Sequence, residues 1–537
     1  MFRILLILCI LLVSLEKNSS SFSSPFSSEN NLNKERDHQK RESNHPRDIV
    51  ESHEDFPSLE NILEISRFSK KNFYIKGNTI GTGRYSNVFF AWKVDLSQET
   101  KNQIGEETLV IDPSLLNLTD HQISILRGSP VALKELKNVQ EWKILREVSI
   151  LKLLNGYPHD HYRYYNDDND DHNHKLSLSL ENPQESEQTQ GKEFIVRLLD
   201  IVKYHYPPKR LSHKRPNSPK KHIGLIMEYV NNEQFYSLLP RLPYNDLQKY
   251  MRQLLQGLSY ANSLGVFHRD IKPQNIVIDV NKELLKIIDW GLAEYYSQDH
   301  PDFSPRVASK YYKAPELLLG IRNYDFSVDS WSVGCLFSQM LFRLGTLKTN
   351  YFTRVFSKYP KTFVGIFLKN SPSPDALFPG WDNNDQLVKI ASLLGGDNII
   401  SISKKYNGTI PNDYLTLTHL KKTRKIFNST TPTFTDPRTF EFLITQENQD
   451  LVTFQALDLL SKLLTLDFKY RIHPKDALKH PFFTLHPSQH SWIVPQAPGI
   501  SSRSSILSRE TNSSRGNKDF CPFMSLFSFV YPYTLST

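Results

Sequence analysis

The sequence predicts an α+β protein of two lobes, a small β-rich N-terminal lobe and a larger helical C-terminal one. Three observations predict it. Between residues 72 and 136, short runs rich in β-branched and aromatic residues alternate with turn residues. From Glu141, and above all beyond Glu228, apolar residues recur at helical spacing. The chain has no internal repeat, so a strand-rich half followed by a helix-rich half reads as two packed lobes rather than an array.

Composition agrees. Aromatic residues make up 12% of 537 residues, and Gly and Pro number only 21 and 31. That excludes a wholly disordered or collagen-like chain. The net charge of +8 is the small difference between 65 Lys and Arg and 57 Asp and Glu. No nucleic-acid partner is expected, because that needs a concentrated basic face. Cys9, Cys335 and Cys521 lie too far apart for a disulfide framework, and there is no paired-cysteine metal motif.

The elements follow in order. Residues 1–15 open with Arg3 and an apolar run from Ile4 to Val13. This is a signal-peptide pattern, too short to span a bilayer. An uncleaved anchor, the one route to a membrane, and a misassigned start stay open. On the secretory route Asn18, Asn117, Asn407, Asn428 and Asn512 become glycosylation acceptors. Residues 16–72 are polar and aperiodic and read as a low-complexity linker. The β-rich lobe covers 73–228, with strands over 72–80, 86–92 and 130–136. Residues 94–129 interrupt them as an inserted loop or hairpin. A helix is expected over 141–154. Disordered insertions are expected over 155–192, which is acidic and Asn-rich, and over 206–222, which is basic and Pro-rich. The helical lobe covers 233–484. Its helices are expected over 244–264, 328–342, 454–466 and 474–479, with a strand over 284–288 and an insertion over 346–376. Residues 485–537 form an aperiodic tail.

Five motifs carry chemistry. Gly81-Thr82-Gly83-Arg84-Tyr85-Ser86-Asn87-Val88 lies between two strands, where glycines let backbone N–H groups approach phosphate. Val131-Ala132-Leu133-Lys134 lies on a strand and Glu147 on the next helix. A buried lysine needs such an anionic partner. His268-Arg269-Asp270-Ile271-Lys272-Pro273-Gln274-Asn275 and Asp289-Trp290-Gly291 place hard oxygen groups on loops, as phosphoryl transfer with Mg²⁺ requires. Ala314-Pro315-Glu316 comes fifth, with Arg471 as a candidate buried partner for its carboxylate. Each motif alone has a bland reading, as hairpin turn, strand lysine or loop; five in this order do not.

Together these residues resemble the eukaryotic protein kinases, over residues 73–484 apart from the insertions. Within that family they are most similar to the casein kinase II catalytic (alpha) subunit. The tryptophan of Asp289-Trp290-Gly291, the run from Arg306 to Gly320 and the segment from Trp381 to Gly396 carry that similarity. The resemblance implies a bilobal protein-kinase fold and a Ser/Thr kinase. Such an enzyme transfers the γ-phosphoryl of ATP, with GTP open as a second donor, to Ser or Thr near acidic residues, using Mg²⁺. It implies Asp270 as base, Lys272 as γ-phosphate contact, and Asn275 and Asp289 as metal ligands. Lys134 with Glu147 would anchor the nucleotide under Ile80, Gly81, Gly83 and Ser86. Glu228 and Val230 would meet the base through their backbone, and Val88, Ala132, Met227, Val277 and Ile288 would line its pocket.

Arg306, Lys310 and Lys313 match the family's basic substrate loop and imply acidic protein substrates. The family's lysine run before its first long helix reads Gln140-Glu141-Trp142-Lys143 here, which keeps one lysine and adds an acid. The family's N-terminal brace is not recognisable in residues 23–70. A casein kinase II regulatory (beta) subunit docks on the outer small-lobe sheet in that family. The insertions at 155–192 and 206–222 fall beside those strands, so weak or absent docking is expected. Trp290 brings an indole N–H that phenylalanine lacks, so the metal-binding loop should hold its place and the enzyme should act without activation-segment phosphorylation. Alternatives are a related proline-directed or dual-specificity kinase, or a secreted pseudokinase scaffold, against which intact Lys134, Asp270, Asn275 and Asp289 argue. The family implies nucleus and cytoplasm, whereas residues 1–15 suggest the secretory route.

Overall fold

The computed structural model describes residues 72–94, 109–111, 128–157, 190–205, 221–297, 301–344, 376–411, 432–444 and 448–485. The apolar N-terminal segment, the linker before Asn72, the tail beyond Leu485 and most of the four expected insertions lie outside the described residues. The chain divides into two compact units, residues 1–164 with 196–230, and residues 165–195 with 231–537.

Unit 1 is a six-stranded sheet with one helix. The strands are β1 (Phe73–Thr82), β2 (Ser86–Val94), β3 (Leu109–Ile111), β4 (Ser129–Leu136), β5 (Leu198–His205) and β6 (Lys221–Glu228), in the order β3-β1-β2-β4-β6-β5. All neighbours run antiparallel except β3, which pairs parallel with β1. That strand arises inside the expected 94–129 insertion and so turns part of it into sheet. Alternate residues point to one face, and Tyr74, Ala91, Val131, Leu133, Val202 and Ile226 form the core there. β1 bulges between Lys76 and Gly81. Gly77 is required in that bulge, since a Cβ would come within 2.8 Å of the Trp92 ring and 2.9 Å of the Phe90 carbonyl.

The two end strands β3 and β5 lie against each other, so the sheet rolls up. Asn72 and Tyr74 fasten the roll by donating to the Asp200 carboxylate on β5, at 2.9 and 2.8 Å. Burial pushes that carboxyl above its usual range. Helix α1 (Glu141–Leu154) has the expected bounds. It buries Ile144, Leu145, Val148 and Leu151, one face at helical spacing. Beyond its end, Asn155 exchanges hydrogen bonds with Val196 and Leu198, which ties the helix to β5.

Unit 2 is mainly helical. Its long helices are α2 (Tyr244–Ser263), α3 (Ser327–Arg343), α4 (Asn383–Leu394), α5 (Gly396–Lys405) and α6 (Phe454–Leu463). α3 is buried on every face from Ser327 to Phe342, as befits a central helix. Two small antiparallel pairs hold the loops: β7 (Val266–Phe267) with β10 (Glu294–Tyr295), and β8 (Ile276–Asp279) with β9 (Leu284–Ile287). Residues 190–195, expected in the β-rich lobe, belong here instead. Gly191, with φ +108°, sits against the Gln256 carbonyl of α2, and Ile195 bridges to Ile287. The α+β, two-lobed expectation holds. Among the described residues no helix is long and apolar enough to cross a membrane.

Candidate active site

In unit 2, the loop after β7 is built on a buried carboxylate that sequence reasoning missed. Asp329 of α3 accepts the backbone N–H groups of His268 and Arg269, both at 2.7 Å. Burial pushes the Asp329 carboxyl up, while those N–H groups and the nearby cations pull it down. Arg269 is held at φ +63°, and its guanidinium donates to the Leu292 carbonyl at 2.8 Å and to Glu294 at 3.0 Å. Two elements thus fix the loop from both ends.

Asp270 follows, and its two oxygens differ. Oδ2 accepts from Lys272 Nζ at 2.6 Å and from Asn275 Nδ2 at 3.0 Å. Oδ1 is buried and has no hydrogen-bond partner among the described residues. Lys272 also donates to Ser309 Oγ at 2.7 Å. Asn275 spends its amide hydrogens on the Asp270 carbonyl, at 2.9 Å, and on Oδ2, and its own amide oxygen can only accept. The Asn275 carbonyl accepts from Ile288 N–H at 2.9 Å, and this bond brings Asp289, the next residue, alongside. Asp289 sits at φ +58°, an uncommon conformation for a non-glycine residue. Trp290 is buried, donates its indole N–H to the Ile287 carbonyl at 3.3 Å, and meets His268 edge-on at 4.7 Å. The hydrogen bond that distinguishes tryptophan from phenylalanine is therefore made.

In unit 1, Lys134 Nζ lies 2.6 Å from Glu147 Oε1, both side chains buried. β4 aims the lysine and α1 the glutamate. The turn Gly83-Arg84-Tyr85 joins β1 to β2, with Gly83 N–H donating to Ser86 O at 2.8 Å. A Cβ on Gly81 would meet Val88 at 3.5 Å, and one on Gly83 would meet the Ser86 carbonyl at 3.5 Å, both ordinary contacts. Packing within the protein therefore does not require glycine at either position. Val88, Ala132 and Met227 lie in unit 1, and Val277 and Ile288 in unit 2. Ala132 and Met227 are buried, whereas Ile80 is 51% exposed. The Glu228 N–H is taken by the Arg197 carbonyl at 3.0 Å, and Val230 lies two residues beyond the end of β6.

Residues 161–483 match the protein kinase domain family. The chain belongs to the protein kinase family. The match begins downstream of Lys134 and Glu147, inside the segment expected as an insertion over 155–192. The kinase is thus a phosphotransferase with a β-sheet unit and a helical unit.

Three further features of this kinase complete the picture. Glu316 and Arg471, 155 residues apart, meet as a fully buried bidentate pair at 2.6 and 2.9 Å. Of the three cations expected to meet substrate, Arg306 and Lys310 are exposed, and Lys310 donates its ammonium to the Trp381 carbonyl. Lys313 is half-buried and burial lowers its ammonium's pKa, so it is the least available of the three. On α1, Lys143 and Arg146 each lie 5.2 Å from the Trp142 ring, so the single lysine kept from the family's run is partly drawn onto an aromatic face.

Proposed function

We propose that this kinase is a Ser/Thr protein kinase of casein kinase II type, which phosphorylates hydroxyls near acidic residues with ATP and Mg²⁺. The observation that carries this reading is the segment from Arg306 to Lys313. It is joined to Asp270 through Ser309 and Lys272, and it presents Arg306 and Lys310 to solvent. The Lys310 partner is a neutral carbonyl, so its charge stays available to a substrate carboxylate.

The residues fit the nucleotide and the metal. Mg²⁺ takes one or two protein oxygens together with substrate phosphates, and the Asp289 carboxylate with the Asn275 amide oxygen supplies that set. When bound, Mg²⁺ neutralises phosphate charge and orients the transferred group. The open turn at Gly81 and Gly83 fits close phosphate approach, and Lys134, held by Glu147, supplies a fixed cation. Asp270 acts through the split between its oxygens. Oδ2 is immobilised by Lys272 and Asn275, which leaves Oδ1 to accept the hydroxyl proton. Lys272, bound to the same carboxylate, supplies positive charge to the incoming phosphoryl.

Radiolabel transfer from ATP to paired peptides tests the reading. Acidic peptides with Ser or Thr should be labelled and Tyr peptides should not; GTP competition reports the second donor. Alanine at Arg306, Lys310 and Lys313 together should raise KM for acidic peptides more than for neutral ones. An equal change for both rejects acid direction. We further propose weak or absent docking of a casein kinase II regulatory subunit, because the β5–β6 connection is lengthened and charged. Nanomolar binding of the full chain in a calorimetric titration rejects that.

A further inference from the structure

The loop that enters α4 holds one tryptophan outward. The Trp381 N–H donates to Asp385 Oδ2 at 2.9 Å, and its carbonyl accepts from Lys310. Asp382 caps α4 by accepting the Asp385 N–H at 2.8 Å. Gly380 is packed so close to α4 that a Cβ would come within 2.4 Å of the Gln386 nitrogen. Phe378 is stacked on Trp331, with centroids 5.5 Å apart. The backbone is thereby fixed on every side. Yet the Trp381 side chain is 61% exposed, and its indole makes no ring contact or hydrogen bond among the described residues. Tryptophan is highly buried on average, so an indole displayed by a rigid loop calls for a ligand.

What lies around it narrows the ligand. Lys310, bonded to Trp381, adjoins Ser309, which accepts from Lys272, which in turn holds Asp270. The Trp381 backbone is thus tied through short contacts to the residues assigned to the acceptor hydroxyl. The carboxylates of Asp382 and Asp385 belong to the same loop, and Asp385 accepts the Trp381 N–H itself. Their negative charge disfavours an acidic side chain at this loop and favours one at Lys310 and Arg306. An apolar side chain meets no such opposition and gains the indole's surface.

We propose that Trp381 is the floor of a second substrate subsite, beside the acid-recognising Lys310, that takes a large apolar side chain of the substrate peptide. The preferred substrate then carries an aromatic or branched aliphatic residue near its acidic one. The proposal rests on the acid-directed reading above and deepens it.

The test uses the full-length kinase and one acidic serine peptide, with alanine at each flanking position in turn exchanged for leucine or phenylalanine. At one position the exchange should lower KM by on the order of tenfold, as partial burial of one aromatic surface does. Trp381→Ala should abolish that ratio and Trp381→Phe should keep most of it. Binding of the leucine peptide should also blue-shift tryptophan emission in the unaltered protein and not in Trp381→Phe. If no position shows the preference, or if Trp381→Ala keeps it, the subsite is refuted while the acid-directed reading stands. If the unaltered kinase shows no preference for acidic peptides, that reading fails and the subsite fails with it.

Discussion

Lys134 with Glu147 in unit 1 and Arg471 with Glu316 in unit 2 are both buried ion pairs with a shortest contact of 2.6 Å. They differ in everything else. The first joins a strand to the next helix, 13 residues on. The second spans 155 residues and is bidentate, and the remaining arginine donors reach the carbonyls of Thr465, Ser327 and Leu466. Five guanidinium donors meet five acceptors, so Arg471 can only hold loops together. A lysine ammonium is a compact point charge that a single carboxylate can steer toward a ligand. The comparison separates charge that holds the fold from charge that we propose serves the nucleotide.

The largest test of that separation is Arg471→Met. Removing one partner strands Glu316 in a buried site and should cost about 3–5 kcal/mol in denaturant unfolding. The double variant Arg471→Met with Glu316→Gln should recover part of the loss. A single variant as stable as the parent would mean that the pair holds nothing. On the chemical side, Asp270→Asn should lower kcat by about 10²-fold or more, the low end of general-base contributions, with nucleotide binding retained. Turnover near that of the parent would remove Asp270 from its role.

Asp200 sharpens the comparison in unit 1, where a buried carboxylate accepts hydrogen bonds from Asn72, Tyr74 and the Ile201 N–H, and the charge of Lys93 pulls against the effect of burial. Its carboxyl is raised by burial, so ionising it opposes folding. Its contribution is therefore most favourable below the unfolded value of about 3.9 and declines as pH rises from there through the folded value. Asp200→Asn should remove that decline. The stability difference between parent and variant should then change by up to about 1.4 kcal/mol per pH unit within that window. A difference that stays constant from pH 4 to 6 counts against it. The smallest effect belongs to Trp290→Phe, which loses one hydrogen bond worth about 1 kcal/mol. Phosphatase-treated protein carrying it should fall below the parent in peptide phosphorylation. Equal activity would show that the indole bond does not steady the Asp289 loop.

The residues assigned to ligands were legible in the sequence because each such role needs a particular side chain at a particular place on a loop. Asp270, Asn275 and Asp289 are of that kind, and so is the glutamate that a strand lysine must find. What holds them was harder to see. Asp329 lies in a helix whose neighbours are Val328, Trp331 and Val333, and its partners are backbone N–H groups, which leave no mark on a sequence. The one available signal was a carboxylate in a helix of mainly apolar and small residues, which must be satisfied by something. Helix α6 stops at Leu463 rather than Leu466, although Leu464 and Leu466 are buried too, because burial continues into the turn that leads to Arg471. The three residues of β3 lie in a segment with no period, and pairing with β1 alone makes them a strand.

The clasp of Asn72 and Tyr74 on Asp200 also sets a schedule for synthesis. Its partners are 128 and 126 residues apart, and β6, which joins β4 to β5, is not complete until Glu228. A ribosome adds about 5–20 residues each second, so the first strands wait several seconds with β4 as an open edge. An unpaired edge of that kind is a template for other strands. A nascent chain halted before β5 should therefore be held by chaperones or aggregate, and the hazard should end abruptly once β6 clears the exit tunnel and the roll can shut.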